Sequence, residues 1–192
     1  MTQLVRGGAF AALVVTLVST AVACGGAEQR GAADPSSASS SSGGGTGSGA
    51  AATDFTARDT DGNTVRLSDH LGKSTILLNF CATWCEPCVA EFPHLRRMYE
   101  ENKGKGLVIL AIAMDGPESI AAVPAFAKTN QLNFPLLVDD DSHIAQIYNP
   151  KKSAPLSVII DKNGKIASIR EGYNPGDEEF LEKDVLKLLG GN

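Results

Sequence analysis

No second cysteine pair accompanies Cys85 and Cys88. The four cysteines stand at 24, 81, 85 and 88, and the three histidines at 70, 94 and 143 form no His-x-His cluster. Structural zinc takes four ligands, so this Cys-x-x-Cys is not half of a zinc site. Nor is it a structural staple, because a loop of one helical turn gains little from closure. Basic residues are also few: 17 Lys and Arg against 22 Asp and Glu give a net charge of −5 with no basic cluster. That balance argues against a nucleic-acid partner. The apolar run from Ala9 to Ala23 is short of the ~20 residues that span a bilayer comfortably.

That run has instead the form of a targeting segment. Arg6 supplies the positive start, and Ala21-Val22-Ala23 stands before Cys24. Two readings are open. Either this is a lipobox, with Cys24 lipidated as the mature N-terminus, or it is an ordinary Ala-x-Ala site that leaves a free thiol. A cysteine directly after the cleavage point favours the first, although Ala21 stands where lipoboxes most commonly have leucine. Residues 1–24 are therefore expected to be a signal peptide ending at a lipobox-like site. Residues 25–52 are rich in Gly, Ser and Ala and are expected to form a disordered tether, with an r.m.s. span of roughly 30 Å. Residues 53–192 are long enough for one domain with a sizeable core.

Within that domain the organising stretch is Trp84-Cys85-Glu86-Pro87-Cys88. Ser74 to Phe80 is a short aliphatic run bounded by Gly72-Lys73 and reads as a buried strand. The cysteines follow at i and i+3, then Val89, Phe92, Leu95 and Tyr99 at helical spacing. A strand turning directly into a helix whose first turn carries Cys-x-x-Cys is a redox arrangement. Free N–H groups and the positive dipole end at the helix start stabilise a thiolate, so the first cysteine becomes a nucleophile. The second lies one turn along on the same face. Pro87 falls in the first turn, where a missing N–H costs nothing.

The rest alternates strand and helix, indicating α/β with a mixed sheet. Asp54 to Leu67 suits a hairpin turning at Asp61-Gly62-Asn63. The active-site helix should run from about Cys85 to Glu101 with a kink at Pro93. Leu107 to Met114 is a second buried strand, Pro117 to Asn130 a helix with Pro124 awkward inside it, and Phe134 to Val138 a short strand. Asp139-Asp140-Asp141 reads as a solvated helix start rather than a calcium site. His143 opens a short helix to Tyr148 and reads as an exposed helix residue rather than a metal ligand. A second hairpin pairs Leu156–Asp161 with Lys165–Arg170. Asp177 to Leu189 closes the domain, with Phe180, Leu181, Val185, Leu188 and Leu189 inward.

Trp-Cys-x-Pro-Cys after a buried strand resembles the thioredoxin superfamily, and more narrowly its TlpA/ResA-like thiol-disulfide oxidoreductases, over roughly residues 53 to 190. The resemblance implies a thioredoxin-like fold: a mixed central sheet flanked by helices, with an N-terminal hairpin and a central helix–strand insertion. It implies that Cys85 attacks a substrate disulfide and that Cys88 resolves the mixed disulfide, with Cys85–Cys88 as the redox pair. Ala154-Pro155 before the strand at Leu156 matches the family's cis-proline loop, which faces the cysteines and offers backbone to a peptide substrate. Leu156 departs from the threonine frequent there. Trp84, Pro87 and Ala154 are expected at the substrate surface. Glu91, one turn beyond Cys88, matches a glutamate of the TlpA-like reductases. It would exchange a proton with Cys88, taking the place of an aspartate where this chain has Asn79. A surface glutamate in a helix ion pair is the alternative.

Cys81 stands where the family usually has an aromatic residue. A small buried thiol filling the core is the favoured reading. A third redox cysteine, or a Cu(I) site with Cys85 and Cys88 as in Sco-type carriers, are the others. Protein disulfides are the implied substrates, apo-cytochrome c among them. A membrane dithiol carrier is the implied donor, the cell envelope the implied site, and no cofactor or metal is required. A Cu(I) chaperone and a peroxiredoxin-like peroxidase are the competing functions; the latter lacks its threonine-containing cysteine motif.

Overall fold

A computed structural model describes residues 48–190. Cys24, the signal segment and residues 25–47 of the expected tether lie outside the described residues.

The core strands are the two most apolar stretches of the domain. β3 (Thr75–Cys81) is buried at all seven positions, and β4 (Leu107–Ala113) lies parallel beside it. A parallel pair needs a crossover, and α1 (Glu86–Asn102) supplies it. Side chains alternate across a sheet. Leu77, Cys81, Ile109 and Ala111 therefore face one apolar cluster with Phe92 and Leu95 of α1, while Ile76, Leu78, Phe80 and Leu110 face a second. Asn79 shares the parity of Leu77 and Cys81, which aims it at α1.

On the far side of β4 lies β5 (Leu136–Val138), parallel to it. Antiparallel to β5 runs the N-terminal hairpin, β1 (Thr56–Asp59) and β2 (Thr64–Arg66). On the other flank, β6 (Leu156–Ile160) pairs antiparallel with β3, and β7 (Ile166–Glu171) with β6. The seven strands form one mixed sheet in the order β2-β1-β5-β4-β3-β6-β7. Both hairpins turn by one device. Asp59 accepts the N–H groups of Asp61 and Asn63, and Asp161 those of Asn163 and Lys165, at 2.8–2.9 Å. Gly62 and Gly164 take the left-handed conformation at φ 85° and 73°.

Four expectations are corrected. The expected helix from Pro117 to Asn130 is a 3₁₀ turn at Ile120–Ala122 followed by α2 (Val123–Thr129). Pro124, lacking an N–H, fits only a first turn, so the α-helix begins there. The domain boundary at 53 falls inside paired chain: Gly49 donates to Ile166 and Ala52 to Gly164, at 2.6 and 2.8 Å. Phe180 does not face inward. α4 (Asp177–Gly190) buries Leu181 and Val185, which turns Phe180 outward at 57% exposure beneath Arg170, whose guanidinium carbon lies 6.0 Å from the ring centroid. Val89, expected on the apolar stripe of α1, is exposed, because Cys88, Phe92, Leu95 and Met98 make that stripe. Pro93 lies inside α1, which continues through it to Asn102.

Candidate active site

The C-terminal ends of β3 and β4 meet the N-terminal end of β6 at one pole of the sheet, where Cys81 pairs with Ala113 and Phe80 with Leu156. Chain leaving β3 has four residues, Ala82 to Cys85, before α1. Cys85 N–H closes that turn onto the Ala82 carbonyl at 3.0 Å. Cys85 is then the N-cap of α1: its φ of −90° and ψ of 94° are extended, and its Sγ accepts the N–H of Cys88 at 3.2 Å. The sulfur thus occupies the place where a capping oxygen normally stands. Cys85 and Cys88 are joined as a disulfide with Cα atoms 5.3 Å apart. Pro87 lies in the first turn of α1, and Trp84, 66% exposed, stands beside the disulfide as a large apolar surface.

The Ala154–Pro155 peptide is cis. Pro155 is buried, and Ala154 packs against the cluster that contains both cysteines. Pro155 C=O accepts from Gly172 N–H at 2.8 Å, so the backbone open to a partner on this loop belongs to Ala154.

Behind Cys88 lies a buried polar trio. Glu91 is one turn along α1 and 5% exposed. Asn79 Nδ2 donates to Glu91 Oε2 at 3.0 Å and to Ser157 Oγ at 3.1 Å. Ser157 is the cross-strand partner of Asn79 on β6, so the register of the sheet makes this contact. Asn79 Oδ1 is buried without a partner. Burial pushes the Glu91 carboxyl up to about 7 against the lowering bond from Asn79; Asp177 and Glu178, at the start of α4, push the same way. A pocket of about 290 Å³ on the β7 side is lined by Glu91, Ser157, Tyr173 and Asp177 among others. The surface ion-pair reading of Glu91 is thereby set aside.

Cys81 is fully buried and unbonded, and burial, with Asp115 and Glu91 nearby, pushes its thiol well above the usual range. A thiol so held is a poor nucleophile and a poor metal ligand, which favours the core-filling reading. The acidic turn is a helix start. Asp139 accepts from Ile144 and Ala145 N–H at 3.0 and 2.8 Å, and Asp141 bonds the half-exposed His143. Leu156, in place of threonine, is buried on β6.

Three buried polar residues at this pole escaped the sequence reading. Ser157 is one. Asp115 bonds Thr83, next to Trp84. Asn149, 1% exposed, brackets the proline loop through Ser153, accepting its N–H at 2.9 Å and donating to its C=O at 2.7 Å. Each acts on a residue distant in sequence or in a loop, and no periodicity marks it.

Residues 48–169 match the AhpC/TSA family. The chain is 36% identical over 141 residues to the thiol-disulfide oxidoreductase ResA of Bacillus subtilis (strain 168), covering 73% of this chain and 75% of the relative. It is 36% identical to ResA of Bacillus thuringiensis subsp. konkukian, covering 70% and 77%. Among solved structures, a candidate thiol:disulfide interchange protein DsbE from Chlorobium tepidum superposes with a TM-score of 0.68 at 33% identity, covering 75% of this chain and 99% of that one. A secreted Mycobacterium tuberculosis disulfide oxidoreductase homologous to DsbE superposes at 0.59 with 27% identity, covering 70% and 96%.

Proposed function

Because the chain belongs to the AhpC/TSA family and is a ResA-like thiol-disulfide oxidoreductase of thioredoxin-like fold, we propose that it works on a membrane tether outside the cytoplasm. There it reduces disulfides of exported proteins through Cys85 and Cys88. The observation that carries this is the seat of Cys85: a sulfur capping a helix, bonded one turn along to Cys88, beside an exposed tryptophan. In the reduced protein the Cys88 N–H that caps onto this sulfur, with the positive end of the helix, stabilises its thiolate. The thiolate attacks a substrate disulfide, and Cys88 then attacks Cys85 and releases the reduced substrate. Glu91 takes the proton of Cys88 and exchanges it with water in the adjoining pocket. Ala154 pairs with substrate backbone, and Trp84 and Pro87 supply apolar contact.

The electrons come from a membrane dithiol carrier. Exported apo-cytochromes c, whose haem cysteines must be thiols, are substrates of the right chemistry. Glu86-Pro87 between the cysteines resembles the reducing members of the superfamily. The reduction potential tests the direction: a value nearer about −270 mV than about −120 mV is expected, and one near −120 mV with a strongly acidic Cys85 would make the protein an oxidant instead. The tether rests on Cys24 after Ala21-Val22-Ala23 and on a composition that cannot fold between it and the domain. Among the described residues no helix is long and apolar enough to cross a membrane. Detergent phase partitioning of the mature protein decides the anchor: recovery in the detergent phase is expected, lost in Cys24→Ser, and recovery wholly in water refutes it.

A further inference from the structure

The turn that presents Cys85 is gripped by one buried carboxylate. Asp115 lies two residues beyond the end of β4 and is 2% exposed. Both its oxygens are taken by Thr83: the Thr83 N–H lies 3.0 Å from Oδ2 and 3.3 Å from Oδ1, and the Thr83 hydroxyl donates to Oδ1. Thr83 is two residues before Cys85. The backbone ties run in parallel, Met114 N–H to Cys81 C=O at 2.9 Å and Cys85 N–H to Ala82 C=O at 3.0 Å. The first of these ties the end of β4 to the cysteine turn and the second closes the turn on itself; among the described residues, the side-chain link between the two segments is this carboxylate. Its field reaches this pole: after burial, Asp115 is the next influence raising the thiol of Cys81, the last residue of β3 before the cysteine turn.

We propose that Asp115 is a positioning residue for the dithiol, holding the Thr83–Cys85 turn in register and, as a fixed negative group, limiting how far the Cys85 thiolate is stabilised. The helix start favours the thiolate and a nearby carboxylate disfavours it. A less stable thiolate makes the dithiol the better reductant. In the exchange, the Cys85 thiolate forms a bond to one substrate sulfur while the other leaves as a thiolate and takes a proton. Cys88 then loses its proton, bonds to Cys85 and expels the first substrate sulfur, so two electrons pass from the protein dithiol to the substrate disulfide. Glu86 adjoins Cys85 in the first turn of α1, and Glu91 on α1, Cys81 on β3, and Asp177 and Glu178 at the start of α4 also bear on this pole; none of them bonds Thr83.

The inference rests on Cys85 being the attacking sulfur, and its test keeps the two apart. The pH midpoint of Cys85 alkylation in the reduced protein, read by peptide mass, and the equilibrium with glutathione are measured for Asp115→Asn, Thr83→Val and Thr83→Ser. Asp115→Asn should lower the midpoint by about one unit. It should also shift the glutathione equilibrium about tenfold toward the dithiol, about 30 mV. Thr83→Val removes the hydroxyl that offsets the carboxylate and should raise the midpoint; Thr83→Ser should match the parent. An Asp115→Asn protein that melts lower with both readouts unmoved overturns the inference, since the contact is then structural only. If that variant does not fold, equal midpoints for Thr83→Val and Thr83→Ser overturn it. Undiminished exchange by Cys85→Ser would instead take down the functional reading itself.

Discussion

Cys85→Ser should abolish disulfide exchange, whereas Cys88→Ala should preserve the first attack and accumulate a stable mixed disulfide. The difference follows from the seats of the two sulfurs. Cys85 is the N-cap, and its sulfur already accepts a helix N–H. That is where a negative charge on sulfur gains most from the helix start. A serine hydroxyl there is not ionised at neutral pH and cannot attack a disulfide, so the loss should approach the ~10⁶-fold scale of removing a covalent nucleophile. Cys88 is fully buried and Cys85 keeps 3% of its surface open, so the sulfur an incoming substrate can reach is that of Cys85. With Cys88 gone the captured partner has no internal thiol to displace it. Cys81 is no substitute, because it is buried behind the pair with its thiol pushed up. Non-reducing electrophoresis of each variant with a disulfide-bonded substrate checks this. A mixed disulfide formed through Cys88 in Cys85→Ser would reverse the order of attack.

How much of this site was legible in the chain depends on the range of each interaction. The cysteine turn was readable because everything it needs is adjacent: an apolar strand, a four-residue turn, a first-turn proline and a stripe at helical spacing. Glu91 was placed beside Cys88 by the same periodicity. That it is buried rather than paired at the surface follows from β3 and β6, because Asn79 and Ser157 wall it in. The partnership of Asp115 with Thr83 spans 32 residues and crosses from one strand end to another. Parallel neighbours of that separation leave no mark in local pattern. The apolar run of β5 was readable as a strand, but not its place in the sheet, where its three residues join the N-terminal hairpin to β4. Phe180 fits an amphipathic pattern as well as Leu181 does, and only packing against the sheet decides which of the two turns inward.

Glu91→Gln should make the oxidised protein more stable at pH 8, leave it unchanged near pH 4, and slow the resolving step. The unfolded carboxyl titrates near 4.5 and the folded one at about 7. Below 4.5 both states hold the proton, and no stability is lost. Between the two values the unfolded chain releases its proton while the folded one keeps it, so stability falls as pH rises. The full loss is reached above about 7 and amounts to about 3 kcal/mol at 1.36 kcal/mol per unit. A glutamine removes that dependence. The buried Asn79 Oδ1, which has no partner, is an acceptor available to one of the two new amide hydrogens, which limits the cost of the substitution. The gain in stability is set against function. In the proposed mechanism the proton of Cys88 goes to an ionised Glu91, so in the parent the resolving rate should rise with pH through about 7. In Glu91→Gln that limb should vanish and the rate fall by about 10²-fold, the lower scale of general-base catalysis. Urea unfolding across pH 4–8 and single-turnover release of substrate read the two effects separately. A glutamine variant with the parent's pH dependence in both would mean that this carboxyl neither strains the fold nor moves the proton. A buried acid that costs stability at the pH where it works, and is kept there by a strand asparagine, is the signature expected of a proton acceptor rather than of a packing residue.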